Sequence, residues 1–271
     1  MILNMSNELK INCDIFIPAR LQSTRLPEKH LKKINSTPLI KYLIQRLQTC
    51  VHIRHIVVCT TNSTSDDKLV QFLQQENLMY FRGDEKDIIK RLFDAANFYN
   101  TNIIIDVEGD DFFTDPLLVD KLALEMKKSS FDFISGNMST DNFDSKTGYP
   151  HGLIPVGIRT SALTRIYKQK QTSNTETGYK EFFMNSDLFK IKYLKPETKH
   201  EFSENLRLTI DYEEDFELAT KIINELGNDF HFESLMKLFN QKPELLQIVE
   251  PVIEKWKKNY YKNIADTSLS K

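Results

Sequence analysis

The chain has 271 residues, of which 40% are hydrophobic and 27% are charged, and its formal net charge is −2. This length and composition fit one large domain with a sizeable core. The near-neutral charge argues against nucleic acid as the main partner, because nucleic-acid-binding domains usually carry a basic excess. The sequence has no apolar run near the ~20 residues of a membrane-spanning helix, and residues 1–10 are too polar for a secretory signal. The 3 cysteines lack metal-site spacing, so we expect reduced thiols and a cytoplasmic protein.

Strand-like and helix-like patterns alternate through the first half of the chain. Short apolar runs predict buried strands at residues 15–17, 55–60, 79–82, 102–107 and 131–135. Helical spacing of apolar residues predicts helices between them, the first beginning at Pro38 with Thr37 as its cap and the second capped by Ser65. Strands that alternate with helices in this way imply an α/β fold with three layers and a doubly wound, mostly parallel sheet.

The pattern becomes less regular beyond Gly136. Residues 137–152 form a polar stretch, which predicts a long loop that contributes to substrate binding. Further strands are predicted at residues 153–158, 189–194 and 206–210, a helix at 161–169, a helical tail from about 232, and a frayed end at 265–271. We therefore expect a single domain spanning residues 1–271, with a substrate-side excursion near 139–205.

A basic loop follows the first predicted strand, which Pro18 ends. It carries three cations, Arg20, Arg25 and Lys29, with two hydroxyls between them. Fixed cations and hydroxyls suit a polyphosphate, although a solvated surface loop explains the charges alone equally well. Neither standard glycine-rich phosphate cradle is present, so a nucleotide would be held by side-chain cations and metal.

Two acidic segments follow buried strands. Residues 108–111 read Glu-Gly-Asp-Asp, and Asp211 ends the run at 206–210, at a position typical of a helix cap. If the first and fourth strands are neighbours, the residue 108–111 turn faces the basic loop across the sheet edge where ligands bind. Carboxylates there suit Mg²⁺ on a triphosphate, while a structural acidic turn remains the alternative on these residues alone.

The basic loop resembles the signature of the cytidylyltransferases that make CMP-activated sugars, in the branch of CMP-Kdo synthetases and SpsF-like spore-coat polysaccharide proteins. The matching stretch is residues 18–29, Pro-Ala-Arg-x-x-Ser-Thr-Arg-Leu-Pro-x-Lys. The families usually have Gly where this chain has Glu28, which sets a carboxylate beside Lys29 and suggests a pair that competes with phosphate. Residues 207–215 are similar to the families' second signature, Arg-x-Thr-Val-Asp-x-x-x-Asp, and residues 108–110 to their Gln-Gly-Asp or Thr-Gly-Asp turn.

Two further segments resemble the SpsF-like branch. Residues 82–91 match its Arg-Gly-x-x-x-Asp-Val-Leu-x-Arg segment, which implies that Arg82 lies near the nucleotide, and residues 149–152 match its Tyr-Pro-x-Gly segment. On this basis we expect the acceptor to contact His151, Lys180 and Glu181. The resemblance covers residues 14–249.

The resemblance implies a nucleotide-diphospho-sugar transferase (GT-A-like) fold and an enzyme that transfers CMP from CTP to a sugar or sugar acid, releasing pyrophosphate. It implies Mg²⁺ on Asp110 and Asp211, and a homodimer. The residues it assigns to catalysis are Arg20, Lys29, Asp110 and Asp211. The residues it assigns to the nucleotide are Ala19, Arg20, Ser23, Arg25, Lys29, Arg82 and Glu108. Two alternatives stay open: a nucleotidyltransferase with a phosphorylated or non-sugar acceptor, and a non-catalytic nucleotide-binding relative, which Glu28 would favour.

Overall fold

The computed structural model describes residues 11–136, 148–197, 206–264 and 266–270. The strands within these ranges are β1 (Cys13–Pro18), β2 (Lys33–Ile34), β3 (Thr37–Pro38), β4 (Ile56–Thr61), β5 (Met79–Gly83), β6 (Ile103–Asp106), β7 (Phe133–Ser135), β8 (Val156–Arg159) and β9 (Ile191–Tyr193). The α-helices are α1 (Leu39–Leu47), α2 (Asp67–Gln75), α3 (Ile88–Tyr99), α4 (Pro116–Lys128), α5 (Thr160–Gln169), α6 (Glu181–Met184), α7 (Glu213–Leu226), α8 (Phe232–Gln241), α9 (Glu244–Gln247) and α10 (Glu250–Asn263).

Seven of these strands form one sheet in the order β5-β4-β1-β6-β8-β7-β9. Strand β1 pairs in parallel with both β4 and β6, so the first and fourth predicted strands are neighbours, as expected. The chain runs outward from β1 through β4 to β5 and then returns to the other side of β1 with β6. Ligands bind where the strand order reverses in such sheets, so the carboxyl ends of β1 and β6 flank the expected crevice. Strand β8 departs from the parallel pattern, since it is antiparallel to β6 and β7.

Helices cover both faces of the sheet. In β1, Ile15 and Ile17 belong to the core under α1, α4 and α7, whereas Phe16 between them belongs to the core under α3 and α5. Successive strand residues point to opposite faces, and a strand covered on both faces needs apolar residues throughout. This explains the uninterrupted apolar run and confirms the three-layer α/β prediction.

Two predicted helix starts are each one residue too early, and their predicted caps are wrong. Thr37 does not cap α1, because Thr37 and Pro38 pair as a short strand with β2, and the helix begins at Leu39. Ser65 does not cap α2, because it lies in a single 3₁₀ turn and the helix begins at Asp67.

Two predictions about the later part of the chain are also wrong. Residues 206–210 are buried but form no strand of the sheet; they make one bridge, Arg207 with His151, and the Ile210 amide donates to the Asp110 carbonyl at 2.9 Å. Residues 266–270 are not frayed, because Leu269 pairs with Lys170. Residues 137–147 of the predicted substrate loop and 198–205 of the excursion lie outside the described residues. No helix in the described ranges is long and apolar enough to cross a membrane.

Candidate active site

A cleft of about 550 Å³ opens at the carboxyl ends of β1 and β6. Four segments contribute most of its lining: the basic loop (residues 19–29), the acidic turn (residues 108–111), the 174–180 loop and helix α10. The crevice expected from the strand order is therefore present, and both loops singled out in the sequence border it.

A buried aspartate fixes the start of the basic loop. The Leu21 amide donates to Asp66 Oδ1 at 2.7 Å, and the second oxygen of Asp66 accepts from the amide and the hydroxyl of Thr61. Asp66 is 1% exposed, so this carboxylate ties the loop to the end of β4. This role could not be predicted from the sequence, because an acidic residue before a helix usually caps that helix.

Glu28 does not pair with Lys29, contrary to expectation. Its carboxylate lies 2.6 Å from Lys68 Nζ, and both side chains are largely exposed. The backbone of Glu28 is left-handed, with φ 51°. That conformation costs an L-residue about 1–2 kcal/mol but carries no steric cost for glycine, so the Gly that the resemblance implies at this position would fit the backbone without strain.

Gly109 lets the acidic turn pack against the basic loop. Its amide donates to the Pro18 carbonyl at 2.9 Å, and a Cβ at this position would lie 2.8 Å from His30 Cε1. His30 Nδ1 lies 3.2 Å from the Gly109 carbonyl oxygen, so a protonated Nδ1 donates there. Burial, followed by the charge of Lys29, lowers the pKa of His30 to about 4. The imidazole is therefore neutral near pH 7 and supports the contact between the two loops.

Lys29 joins the two aspartates singled out in the sequence. Its Nζ lies 2.6 Å from Asp110 Oδ2 and 2.9 Å from Asp211 Oδ1. Burial alone would lower the pKa of Lys29, but the two carboxylates outweigh it and hold that pKa above its usual value. Burial would likewise raise the pKa of Asp110, yet Lys29 holds it well below its usual range. Lys29 and Asp110 are therefore ionised at neutral pH.

Asp211 is held from several sides. Arg25 Nη2 lies 2.7 Å from its Oδ1, and Arg207 Nη1 lies 3.3 Å from its Oδ2. Arg207 also makes a two-pronged ion pair with Asp215, at 2.6 and 2.7 Å. The cap of α7 is Tyr212, whose amide donates to Asp215 at 2.9 Å. The expectation that Asp211 caps this helix is therefore wrong; Asp215 satisfies the helix start instead.

The two aspartates provide a donor set that fits Mg²⁺. Their oxygens converge on a single cationic group, and Mg²⁺ typically binds one or two carboxylates and completes its shell with phosphate oxygens and water. Among the described residues, no group of three or more acidic, His or Cys side chains could hold a metal ion. A bound nucleotide and water would therefore supply the remaining ligands.

A second ionic cluster lies beside the acidic turn. Lys180 Nζ lies 2.5 Å from Glu108 Oε1 and 3.7 Å from Asp106 Oδ2, and Tyr179 donates a hydrogen bond to Asp106. Burial raises the pKa of Asp106 to about 6, and burial with the charge of Glu108 raises that of Asp111. Glu108 and Lys180 thus neutralise each other at the cleft wall.

The structure brings most of the predicted site residues together. The predicted site residues that line the cleft are Ala19, Arg20, Ser23, Arg25, Lys29, Glu108, Asp110, His151, Lys180 and Asp211. Two predicted residues lie outside its lining. Arg82 donates to the carbonyls of Thr61 and Ser63, and Glu181 accepts from Tyr260 Oη at 3.3 Å.

Sequence reasoning missed several lining residues. Glu176 pairs with Arg20 at 3.1 Å and with the buried Arg91. Arg91 ends the segment in which only Arg82 was singled out, so the signal for it was present. Helix α10 contributes four residues to the lining, Trp256, Asn259, Tyr260 and Asn263. No sequence motif indicated that these residues belong to the site.

The fold and this cleft define a class of protein. A doubly wound α/β sheet whose strand order reverses beside a basic loop and two converging carboxylates is the architecture of an enzyme that handles nucleotide phosphates. The family model for cytidylyltransferases matches residues 15–249. The chain belongs to the cytidylyltransferase family and is a nucleotidyltransferase.

Individual relatives agree with this assignment. The chain is 30% identical to the uncharacterized protein MJ1063 of Methanocaldococcus jannaschii, over 76% of this chain and 81% of that protein. It is 24% identical to the spore coat polysaccharide biosynthesis protein SpsF of Bacillus subtilis, over 84% of this chain and 94% of that protein. It is also 25% identical to the 3-deoxy-manno-octulosonate cytidylyltransferase of Rickettsia prowazekii, over 79% of this chain and 97% of the relative.

Solved structures show the same fold. A cytidylyltransferase from Leptospira borgpetersenii superposes with a TM-score of 0.76 at 26% identity, covering 88% of this chain and 97% of that one. The CMP:2-keto-3-deoxy-manno-octonic acid synthetase complexed with CTP superposes with a TM-score of 0.60 at 16% identity, over 79% of this chain and 99% of the other.

Proposed function

We infer that the chain transfers the cytidylyl group of CTP to a hydroxyl of a sugar or sugar acid, releases pyrophosphate, and serves cell-surface polysaccharide synthesis. The observation that carries this inference is the convergence of Asp110 and Asp211 on Lys29 in a cleft bordered by the basic loop. The similarity to a spore coat polysaccharide biosynthesis protein and to a 3-deoxy-manno-octulosonate cytidylyltransferase supports a sugar-like acceptor. The homodimer stays a prediction.

The basic loop positions the triphosphate. Arg20, Arg25 and Lys29 all line the cleft, and guanidinium and ammonium groups bind phosphate oxygens through charge-assisted hydrogen bonds. The acceptor oxygen attacks the α-phosphorus in line, and the bond to the bridging oxygen breaks, so pyrophosphate leaves. Cations held at the β- and γ-phosphates stabilise the charge that accumulates on this leaving group.

The two aspartates prepare the cleft for a divalent cation. Lys29 holds the pKa of Asp110 well below its usual range in the ligand-free chain, and it contacts an oxygen of Asp211 at 2.9 Å as well, so both aspartates face the point where a cation would bind. Mg²⁺ bound there would polarise the phosphoryl oxygens and neutralise charge on the phosphates. Arg25 and Arg207 hold Asp211 in place meanwhile.

Nucleotide selectivity tests the cytidylyl part of this proposal. We expect CTP with Mg²⁺ to raise the melting temperature more than ATP, GTP or UTP at the same concentration. A ligand at 100 times its dissociation constant adds about 2.7 kcal/mol to the free energy of unfolding, which differential scanning fluorimetry detects readily. Equal shifts with all four nucleotides would contradict the preference for CTP.

A further inference from the structure

The last helix borders the active-site cleft, although it lies beyond the part of the chain that the family model matches. The match ends at residue 249, and α10 spans Glu250–Asn263. Of the four described side chains that α10 contributes to the lining, only Trp256 is buried, with 6% of its surface exposed. The role of α10 at the site therefore depends on what Trp256 contacts.

Trp256 packs against a buried arginine. Its ring centroid lies 5.4 Å from the guanidinium carbon of Arg207, within the range of cation–π attraction, which is strongest for tryptophan. The ring also lies 5.2 Å from that of His151, measured between centroids, and His151 is the bridge partner of Arg207. Trp256 thus contacts both residues of the bridge that joins the 206–210 segment to residue 151.

Arg207 is held by hydrogen bonds at only part of its guanidinium group. Nη2 binds both oxygens of Asp215, and Nη1 lies 3.3 Å from Asp211 Oδ2. The buried Nε has no hydrogen-bond partner among the described residues. An unpaired buried donor is costly, and an aromatic face beside the guanidinium group offsets part of that cost. Trp256 therefore stabilises Arg207 in the position from which it reaches Asp211.

The two oxygens of Asp211 have different partners. Oδ1 lies beside Arg25 and Lys29, which line the cleft and contact phosphate in the proposed reaction. Oδ2 lies beside Arg207, which is 2% exposed and is not among the described residues that line the cleft. Arg207 is therefore the partner that stays on Asp211 when a nucleotide binds. Hydrogen bonds of this kind orient a metal-binding carboxylate, and their loss typically lowers metal affinity by about 10- to 100-fold.

We propose that Trp256 is a positioning residue for the cation site: its ring holds Arg207, and Arg207 holds Asp211 in the orientation that binds a divalent cation. The proposal rests on the proposed transfer from CTP and adds to it a residue outside the family pattern. A helix that shares no motif with the phosphate-binding loops thereby sets how well those loops bind the metal-bound nucleotide.

The gain in CTP affinity from Mg²⁺ tests this role without any acceptor present. Calorimetry gives the dissociation constant of CTP with and without Mg²⁺, and the ratio of the two is the gain. Trp256→Met keeps an apolar side chain but has no aromatic face, so the gain should fall about three- to tenfold while CTP affinity without Mg²⁺ stays within about twofold. Trp256→Phe keeps an aromatic face and should retain most of the gain. An equal loss of CTP affinity with and without Mg²⁺ would mean that the ring contacts the nucleotide itself, which overturns the proposal.

Phe239→Met is the matched control for lost packing. Phe239 lies in α8, is 5% exposed, belongs to the same core as Trp256 and is not among the described residues that line the cleft. The variant should lower the melting temperature but leave the gain from Mg²⁺ unchanged. A gain that falls as far in Phe239→Met as in Trp256→Met would show that lost stability, and not the position of Asp211, explains the effect.

Arg207→Lys tests the link between the ring and the carboxylate. Lysine keeps the positive charge but lacks the planar fork that reaches Asp211 and Asp215 together, so this variant should also reduce the gain. Adding Trp256→Met to it should change the gain by less than about twofold, because residues that act through one contact are not additive. A full further loss in the double variant overturns the proposal.

The emission of the single tryptophan provides a readout in which Trp256 itself is unchanged. Its emission should shift in Arg207→Lys, and an unchanged emission with an unchanged gain overturns the proposal even if Trp256→Met does not fold. A parent chain that does not bind CTP would refute the proposed function. A parent chain that shows the Mg²⁺ gain, with the same gain in Trp256→Met, would refute only the positioning role.

Discussion

The cleft has two halves that are built in different ways. The phosphate half consists of the basic loop, the acidic turn and Asp211, and buried ion pairs join residues 81 and 182 positions apart in the chain. The other half, called the α10 half, consists of the 174–180 loop and α10; Gly178 permits the close approach of Ile264, and Trp256 packs against His151. Charged residues that must lie at particular points leave a readable motif, whereas a wall of aromatic and amide side chains does not.

The largest expected effect is the loss of turnover when the carboxylates of the phosphate half are removed. Asp110→Asn and Asp211→Asn each keep the side-chain shape but remove a negative oxygen, so each should reduce turnover by a factor on the order of 10²–10³. If both aspartates act on one cation, the double variant should lose less than the product of the two single losses. Pyrophosphate release with CTP and an acceptor measures all three.

Asp111→Asn is the matched control for these variants. Asp111 also lies in the acidic turn, but burial raises the pKa of its carboxyl group, so an amide is a close substitute and we expect a mild effect. Thermal unfolding of each variant separates lost chemistry from lost folding. A loss in Asp111→Asn as large as that in Asp110→Asn would show that the whole turn, and not one carboxylate, carries the activity.

Acid should weaken the packing that supports the phosphate half. The pKa of His30 is about 4 in the fold and about 6.5 in an unfolded chain, so the unfolded state binds more protons between these pH values. Stability is therefore fully present above pH 6.5 and falls as the pH drops toward 4, by about 3 kcal/mol from this residue.

His30→Asn tests this pH dependence, because asparagine does not titrate and its amide can still donate to the Gly109 carbonyl. Urea unfolding at several pH values between 4 and 7 should show a shallower loss of stability in the variant than in the parent chain. Identical slopes would mean that His30 does not contribute.

The smallest expected effect is that of replacing Glu28, which tests whether this residue belongs to the phosphate half. Glu28 pairs with Lys68 on the surface, so Glu28→Gly should leave CTP affinity within about twofold, since exposed ion pairs contribute only about 0.2–1 kcal/mol. Relief of the left-handed backbone should offset the lost pair and raise the free energy of unfolding by at most about 1 kcal/mol. Calorimetry and urea unfolding measure the two quantities, and a tenfold change in CTP affinity would restore a direct role for Glu28.

The sequence predicted the phosphate half better than the α10 half. Helices cover both faces of the sheet, and this burial imposes apolar runs on β1 and β6. The sheet and the loops at its edge were therefore readable, and the charged loop residues led to the cleft. The prediction that Arg82 lies near the nucleotide was wrong, because an arginine next to a motif can bind a loop carbonyl as well as a phosphate. Here Arg82 donates hydrogen bonds to the carbonyls of Thr61 and Ser63. The role of α10 was not readable, because an amphipathic helix with asparagine and tyrosine on one side looks the same whether that side faces a ligand or solvent.

The predictions of two helix starts were wrong for a related reason. Thr37 and Ser65 are good caps locally, but a two-residue strand pair and a 3₁₀ turn outcompeted them. Such contacts depend on tertiary neighbours that local sequence does not reveal.

The most direct test of the central claim is the effect of Mg²⁺ on CTP binding, measured by calorimetry in the parent chain and in the Asp110→Asn, Asp211→Asn double variant. If the two carboxylates share one cation with the nucleotide, Mg²⁺ should tighten CTP binding by about tenfold or more in the parent chain, or about 1.4 kcal/mol, and by less than about twofold in the double variant. Without Mg²⁺ the double variant should bind CTP at least as tightly as the parent, because two negative charges beside the triphosphate are gone. An equal gain from Mg²⁺ in both proteins would contradict the account.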